Sequence, residues 1–392
     1  MAEIARRMKN VPKSFIREIL KVTESSHVIS FAGGLPNPET FPIKELEEAC
    51  VNVLESDGKR ALQYASTEGF YKLREFISKR YMEKDGLDIP PESILITTGS
   101  QQALDLIGKV LINKGDKVVM EEPGYLGAIQ AFSVFEPRFK SVKLNDDGID
   151  LDSLKKACSG ARMKLFYCVP NFHNPSGITY SEDVRKRAAK ILAQNGVITV
   201  EDNPYGELRF MGSHIPPMRK YNRKSILLGS FSKIAAPGLR LGWISAPPDI
   251  MDAVNTAKQA ADLHTNSFTQ RVLYRYLTEN SIDKHIESIK KLYRVQRDVM
   301  VTSIEKYFPG EVKFTRPEGG MFVWVTLPKK LDTMKLFDAV IKKDVTFVPG
   351  RPFYANGGGD NTLRLNYSAS TPEIIEEGIK RMGESIKLLM AK

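Results

Sequence analysis

Between residues 93 and 246 the hydrophobic positions fall in short continuous runs rather than alternating ones, at 93–97, 117–121, 164–169, 197–201 and 225–230. Such runs mark strands buried on both faces. Between most of them lie segments with helical spacing, such as 101–112 and 182–194. This alternation predicts an α/β domain around a mostly parallel sheet. The run at 241–246 follows Ser230 too soon for a helical crossover, so it is predicted to pair antiparallel.

The pattern changes towards the C-terminus. A long amphipathic helix is predicted over 282–307, ending before Pro309 and Gly310, followed by strands at 321–326, 345–348 and 363–367 and helices at 334–342 and 372–391. Gly357-Gly358-Gly359-Asp360 reads as a turn between strands. This α+β pattern predicts a second, smaller domain. Residues 46–299 are assigned to the large domain, and residues 1–45 with 300–392 to the smaller one. The first 45 residues, broken by Pro12, Pro36, Pro38 and Pro42, are expected to pack across the two domains rather than form a layer.

Composition narrows the class. The 392 residues are 42% hydrophobic and 27% charged, ordinary for a soluble globular chain and unlike collagenous or disulfide-stapled ones. No apolar run approaches the ~18 residues of a membrane helix, and the first 20 residues lack the apolar stretch of a secretory signal. Three cysteines, Cys50, Cys158 and Cys168, point to free thiols in a reducing, cytoplasmic compartment. The five histidines show no metal-binding spacing, so no metal is expected. Lys and Arg outnumber Asp and Glu by 57 to 47, a net charge of +10. The cations are spread along the chain and read mainly as solvated surface, so neither nucleic acid nor a membrane is expected as a partner.

In a doubly wound sheet, ligands bind beyond the carboxyl ends of the strands. The segments that follow the runs therefore carry the chemistry. They are Thr98-Gly99-Ser100-Gln101-Gln102 opening a helix, Glu122-Pro123-Gly124-Tyr125, the stretch from Asn171 to Gly177 with Asn174, Asp202-Asn203-Pro204-Tyr205, and Phe231-Ser232-Lys233. Singly, each has an ordinary explanation as a cap, a turn, an ion pair or a surface lysine. Together they place an amine, a carboxylate and a helix start on one rim. A lysine behind an apolar strand is partly desolvated, which lowers its pKa and favours Schiff-base chemistry. A helix N-terminus binds phosphate. These are the groups that hold pyridoxal phosphate, with the carboxylate keeping the ring nitrogen protonated. Competing motifs fail: Ile234 stands where a P-loop needs Ser or Thr, no G-x-G-x-x-G follows the first strand, and no G-x-S-x-G elbow exists.

With these residues the chain resembles the fold-type I, class I/II aminotransferases, and within them the 2-aminoadipate (LysN-like) and kynurenine aminotransferases. The resemblance rests on Ser230-Phe231-Ser232-Lys233-Ile234 followed by Pro237-Gly238-Leu239-Arg240-Leu241-Gly242, on Thr98 to Gln102, and on Ala32-Gly33-Gly34-Leu35-Pro36-Asn37-Pro38. It implies the α/β fold of PLP-dependent transferases of fold type I: a large domain with a mostly parallel seven-stranded sheet between helices, plus a smaller α+β domain. It also implies pyridoxal 5′-phosphate as cofactor. The implied reaction moves an amino group from an L-amino acid of aromatic, kynurenine or 2-aminoadipate type to a 2-oxo acid such as 2-oxoglutarate, in ping-pong order.

Carried over position by position, the resemblance implies that Lys233 bonds the cofactor aldehyde and Asp202 pairs with its ring nitrogen. Asn174 and Tyr205 would bond the ring hydroxylate, and Tyr125 would stack on the ring. Ser100, Gln101 and Gln102, with Ser230, Ser232 and Arg240, would hold the phosphate. Lys233, Asp202 and Tyr205 are the implied catalytic group. Tyr64 matches a tyrosine lent by the partner subunit, which implies a homodimer with shared sites. Arg364 would clamp the substrate carboxylate, with Asn174 beside it and Gly34 lining the pocket. Arg17 matches an arginine on a mobile N-terminal helix that meets acidic side chains and swings away for apolar ones. Phe172 and His173 depart from a common form and are expected to tune the pocket. A β-lyase on the same scaffold would keep the same core residues. A cofactor-sensing regulator would need a DNA-binding module, for which the ~30 residues before Ala32 are too few.

Overall fold

A computed structural model describes residues 3–11, 28–159 and 163–391. The strands predicted from the continuous runs are present, with ends displaced by a residue or so. In chain order the strands up to residue 245, of which β1, β4 and β5 were not predicted, are β1 (Ile29–Ser30), β2 (Ile94–Thr97), β3 (Lys117–Glu122), β4 (Arg138–Asn145), β5 (Gly148–Ile149), β6 (Met163–Cys168), β7 (Ile198–Asp202), β8 (Ile226–Ser230) and β9 (Gly242–Ser245). Strands β2 to β9 form one sheet in the order β2-β9-β8-β7-β6-β3-β4-β5. The four pairings from β8 through β7, β6 and β3 to β4 are parallel. Strand β9 runs antiparallel to both its neighbours, as its short link to β8 requires.

Two features differ from expectation. The sheet has eight strands rather than seven, because two-residue β5 folds back antiparallel on β4. Strand β4 itself carries no continuous apolar run. It lies near the sheet edge with Arg138, Lys140 and Lys143 exposed, and charges there discourage pairing with another chain.

The central strands are buried on both faces because helices cover both sides of the sheet. Val118 and Met120 of β3 and Leu165 and Tyr167 of β6 bury in one cluster with Leu104 and Ile107 of helix Ser100–Leu111. Val119, Phe166 and Cys168 point the other way, into a cluster with Val184 and Leu192 of helix Glu182–Gln194. Each such aliphatic or aromatic side chain stabilises the fold by roughly 1.5–3 kcal/mol, so the sheet is a rigid base for the groups at its rim.

A smaller antiparallel sheet is built from β10 (Lys313–Phe314), β11 (Phe322–Thr326), β13 (Val348–Pro349) and β14 (Thr362–Asn366), in the order β10-β11-β14-β13. The predicted strand at 345–348 divides. Its first half, β12 (Val345–Thr346), pairs in parallel with β1, and the chain then changes sheets at Phe347. The long helix Ile282–Tyr307 has the predicted bounds, capped by the Ser281 side chain. Residues 29–37 touch both parts of the molecule: the Phe31 carbonyl accepts from Asn366 N, and the Gly34 carbonyl meets Lys233 beyond β8. Among the described residues no helix is long and apolar enough to cross a membrane.

Candidate active site

The strand ends of the large sheet converge on one rim. Strand β2 leads into Gly99, whose φ of +74° starts helix Ser100–Leu111 without a side-chain cap. A Cβ at Gly99 would lie 2.5 Å from Arg240 Nη2, and one at Gly242 would lie 2.9 Å from Ser100 N. Glycine at both positions lets the Arg240 turn close onto the helix start. The N–H groups of Ser100 and Gln101 open that helix and have no intrahelical acceptor. Strand pairing sets Ser230 against Gly242, and the Ser230 hydroxyl accepts from Ser232 N at 3.1 Å. Among the described residues Arg240 donates to the carbonyls of Thr98 and Pro237. No carboxylate among the described residues neutralises it, so two serines, two amides and a guanidinium offer the donors that an anion cradle needs.

Asp202 ends β7, 2% exposed. Its Oδ2 accepts from the Tyr167 hydroxyl at 2.8 Å, while its Oδ1 is buried without a partner. Burial pushes its pKa up to about 7; the Tyr167 hydrogen bond opposes this and the Glu121 charge adds to it. A buried acceptor without a donor is costly, so this atom suits a ligand N–H.

Lys233 follows β8, and its Nζ donates to the Gly34 carbonyl at 2.9 Å. Burial, then the charges of Arg364 and Arg240, push its pKa down to about 8. The neutral, nucleophilic fraction of the amine near physiological pH is therefore far larger than for an ordinary lysine, although the protonated form still predominates below pH 8. Tyr125 caps helix Leu126–Ser133, and burial raises its pKa to about 12. Tyr205 is buried, with its phenol pKa raised by burial.

Arg364, on β14, brings the smaller sheet to this rim. Its Nη1 donates to Asn174 Oδ1 at 2.9 Å and its Nη2 to the Ala32 carbonyl at 2.6 Å. Phe322 lies 4.4 Å and Phe353 5.5 Å from the guanidinium carbon. Burial lowers its pKa to about 10, so it remains a cation at neutral pH. Its Nε is buried and unpartnered. Asn174 also donates from Nδ2 to the Tyr205 hydroxyl at 3.3 Å. Gly34 is tight against the same group, since a Cβ there would lie 3.3 Å from Phe322 Cζ and 3.9 Å from Arg364 Nη1.

Lys233, Asp202, Tyr205, Asn174, Tyr125, Arg364, Gly34, Ser100, Gln101, Ser230, Ser232 and Arg240 are thus gathered. Two expected residues, Gln102 and Tyr64, are not. The Gln102 side chain turns to Thr98, Lys258 and Asp262 rather than to the rim, and its own backbone N–H bonds the Gly99 carbonyl. Tyr64 is 79% exposed, edge-on to His264, and none of its described contacts is with the site. Arg17 lies outside the described residues. Phe172 and His173 also do not line the pocket. Arg209 lies over the Phe172 ring at 4.9 Å, and fully buried His173 stands 3.1 Å from Glu121 and 2.8 Å from Ser176. Two residues not singled out from the sequence support the site from behind. Tyr167 bonds Asp202, and Glu121 accepts from Tyr180 at 2.6 Å and from Val169 N. A tyrosine inside a buried strand needs a partner for its hydroxyl, and that was the available signal for Tyr167.

The sequence profile of the family described as aminotransferase class I and II matches residues 27–382. The chain belongs to that family. An aromatic-amino-acid aminotransferase of Thermococcus litoralis is 45% identical over 97% of this chain and 93% of its own length. The crystal structure of LysN, an alpha-aminoadipate aminotransferase of Thermus thermophilus complexed with N-(5′-phosphopyridoxyl)-L-leucine, is 41% identical, with a TM-score of 0.92 over 99% of this chain and 98% of that one. A Pyrococcus horikoshii kynurenine aminotransferase, solved in complex with PMP, is 43% identical, with a TM-score of 0.95 over 99% and 97%. The chain is a pyridoxal 5′-phosphate-dependent aminotransferase of fold type I. Its residues fit the cofactor on their own geometry: the unpartnered Asp202 oxygen, the pKa-depressed amine of Lys233 and the uncompensated Arg240 are complementary to a ring N–H, an aldehyde and a phosphate.

Proposed function

We propose that this aminotransferase takes aromatic, kynurenine-type or 2-aminoadipate-type L-amino acids as donors and a 2-oxo acid such as 2-oxoglutarate as acceptor, each using one site in turn. The observation that carries the reading is a pair of carbonyls two residues apart. Ala32 O accepts from Arg364 and Gly34 O from Lys233. A carboxylate clamp and a reactive amine are thereby registered to one short segment, as an α-amino acid requires, because its carboxylate and reacting carbon are adjacent.

When bound, pyridoxal 5′-phosphate supplies a protonated ring that absorbs the electron pair left at the substrate α-carbon. Lys233 would hold its aldehyde carbon, Asp202 Oδ1 its ring N–H, and Asn174 with Tyr205 its hydroxyl. Tyr125 would face the ring. Ser100 and Gln101 N–H groups, Ser230, Ser232 and Arg240 would hold its phosphate. Arg364 binds the substrate carboxylate through parallel N–H donors. The flanking phenyl rings keep water away from that pair and strengthen it. Lys233 Nζ, its pKa lowered by burial and the cations of Arg364 and Arg240, takes the α-proton as general base.

The donor class is supported by the named activities of the three relatives and by the rings of Phe322 and Phe353 beside the clamp. Arg17 is the proposed partner for an acidic side chain. A homodimer with Tyr64 lent to the partner's site is supported by the exposure of Tyr64 together with Ile43, Val51, Leu54, Leu62 and Leu263. Three free cysteines support a cytoplasmic setting.

The test is a donor panel on the holoenzyme. Kynurenine, an aromatic amino acid and 2-aminoadipate should each bleach the cofactor's visible band, and 2-oxoglutarate should restore it. Turnover without an oxo-acid acceptor, with release of ammonia and pyruvate, would instead identify a lyase.

A further inference from the structure

The side chain of Gln102 does not face the anion cradle, and what it does instead assigns it a role. Its Oε1 accepts from Thr98 N at 2.8 Å and from Lys258 Nζ at 3.1 Å, and its Nε2 donates to Asp262 Oδ2 at 2.6 Å. Lys258, whose side chain is fully buried, donates to both oxygens of Asp262, at 2.7 and 3.0 Å. The Thr98 hydroxyl also donates to Asp262, at 3.3 Å. The other side of Thr98 bears on the cradle, since its carbonyl accepts from Arg240 Nη2 at 3.3 Å.

A lysine with no solvent access is expensive, and it is retained only when paired and hydrogen-bonded. Here the pair spans two elements. Lys258 and Asp262 close helix Pro248–Asp262, while Gln102 and Thr98 belong to the turn that opens helix Ser100–Leu111. Leu263, just after Asp262, has a φ of +63°. A leucine persists in that region only where its surroundings over-determine it, which agrees with a helix end pinned through Asp262.

We infer that Lys258, Asp262 and Gln102 form a buried ionic strut that holds the Thr98 peptide, and through it the Ser100 and Gln101 amides and Arg240, in the shape that accepts the cofactor's phosphate. These are positioning residues. The inference rests on the phosphate reading proposed above for Ser100, Gln101 and Arg240.

The experiment measures the affinity of the full-length chain, freed of cofactor, for pyridoxal 5′-phosphate and for pyridoxal, which lacks the phosphate. The ratio of the two isolates the cradle. Lys258→Met and Gln102→Met should each lower this ratio by about tenfold, the scale of losing one well-placed hydrogen bond to a charged group. Lys258→Arg should recover part of it. If the trio only knits helix to sheet, both affinities fall together and the ratio stays within twofold of the parent, which overturns the inference. Gln102→Met leaves the Lys258–Asp262 pair intact and decides the matter if Lys258→Met does not fold. Arg240→Ala is the control for the underlying reading. An unchanged ratio there would refute the cradle itself, whereas a loss there with none in the strut variants would refute only the strut.

Discussion

Arg364 and Asn174 are joined by a hydrogen bond of 2.9 Å between Nη1 and Oδ1, across 190 residues of sequence. Because the same asparagine donates to the Tyr205 phenol, one amide links the proposed carboxylate clamp to the proposed cofactor ring contact. The residue is committed at both ends and buried, so it sets the angle between the two.

Replacing Asn174 with Ala should therefore hurt both functions. Losing hydrogen bonds of this kind, one of them to a charged group, predicts a fall in kcat/KM of roughly 10- to 100-fold for every donor. The pH midpoint of the bound cofactor's absorption band should also move. Steady-state kinetics and a spectral titration measure the two effects. A change in KM alone, with the band unmoved, would show that the amide does not reach the cofactor.

Lys233 is expected to react as a weakly basic amine. With a pKa near 8 against an ordinary 10.5, the neutral nucleophilic fraction rises with pH through about 8. In the cofactor-free chain, labelling of the Lys233 peptide by an amine-selective reagent should reach half its maximal rate there, two or more pH units before surface lysines. Arg364→Leu removes a neighbouring cation and should raise that midpoint. Mass spectrometry of the labelled peptide at a series of pH values gives the answer, and a parent midpoint near 10 would contradict the desolvated site.

Asp202 should cost the cofactor-free protein stability. Its folded-state pKa is raised to about 7 from 3.8, so between those values the folded state binds more protons than the unfolded one. Stability from this group is then greatest at low pH and declines as pH rises towards 7. The buried charge costs up to roughly 4 kcal/mol above pH 7. An unpaired amide in its place costs ~1–3 kcal/mol, so Asp202→Asn should gain about 2 kcal/mol, or a few degrees in Tm. The gain should shrink towards pH 5, where the parent carboxyl is mostly protonated, while kcat of the holoenzyme falls by orders of magnitude. Calorimetry at pH 5 and pH 8 distinguishes this from a simple packing effect, which would not depend on pH.

Tyr64 can be assigned to its own or the partner's site by mixing. Chains carrying Tyr64→Ala and chains carrying Lys233→Ala are unfolded together and refolded. If Tyr64 acts across a two-fold interface, half of the randomly paired dimers hold one intact site, and activity returns to about a quarter of the parent's. If Tyr64 serves its own subunit, each site carries a defect and no activity returns.

Local periodicity made much of the fold legible. Continuous apolar runs located β2, β3, β6, β7, β8 and β9, and the 3.6-residue period located helix Ile282–Tyr307 to the residue. Strand β4 escaped because an edge strand keeps charges on its open side. The split at Phe347 escaped because a four-residue run, Val345 to Val348, does not reveal that its halves pair with different partners. At the site, chain order alone brought the strand-following residues to one rim. The side chain of Gln102 shows the limit. A motif names which residues lie at a helix start, but side-chain direction depends on what packs beside them, here Lys258 and Asp262 from a helix some 160 positions away.

By itself the sequence determined the order of strands and helices, the lysine, carboxylate and helix start behind them, and through its motifs the family, because these depend on local spacing and on which residue follows which. The tertiary structure alone decided the state of those groups. Lys233 meets Gly34 and feels Arg364, and Asp202 keeps one oxygen bare beside Tyr167. Proton affinity is set by burial and by charges brought from distant parts of the chain, and neither exists until the chain has folded.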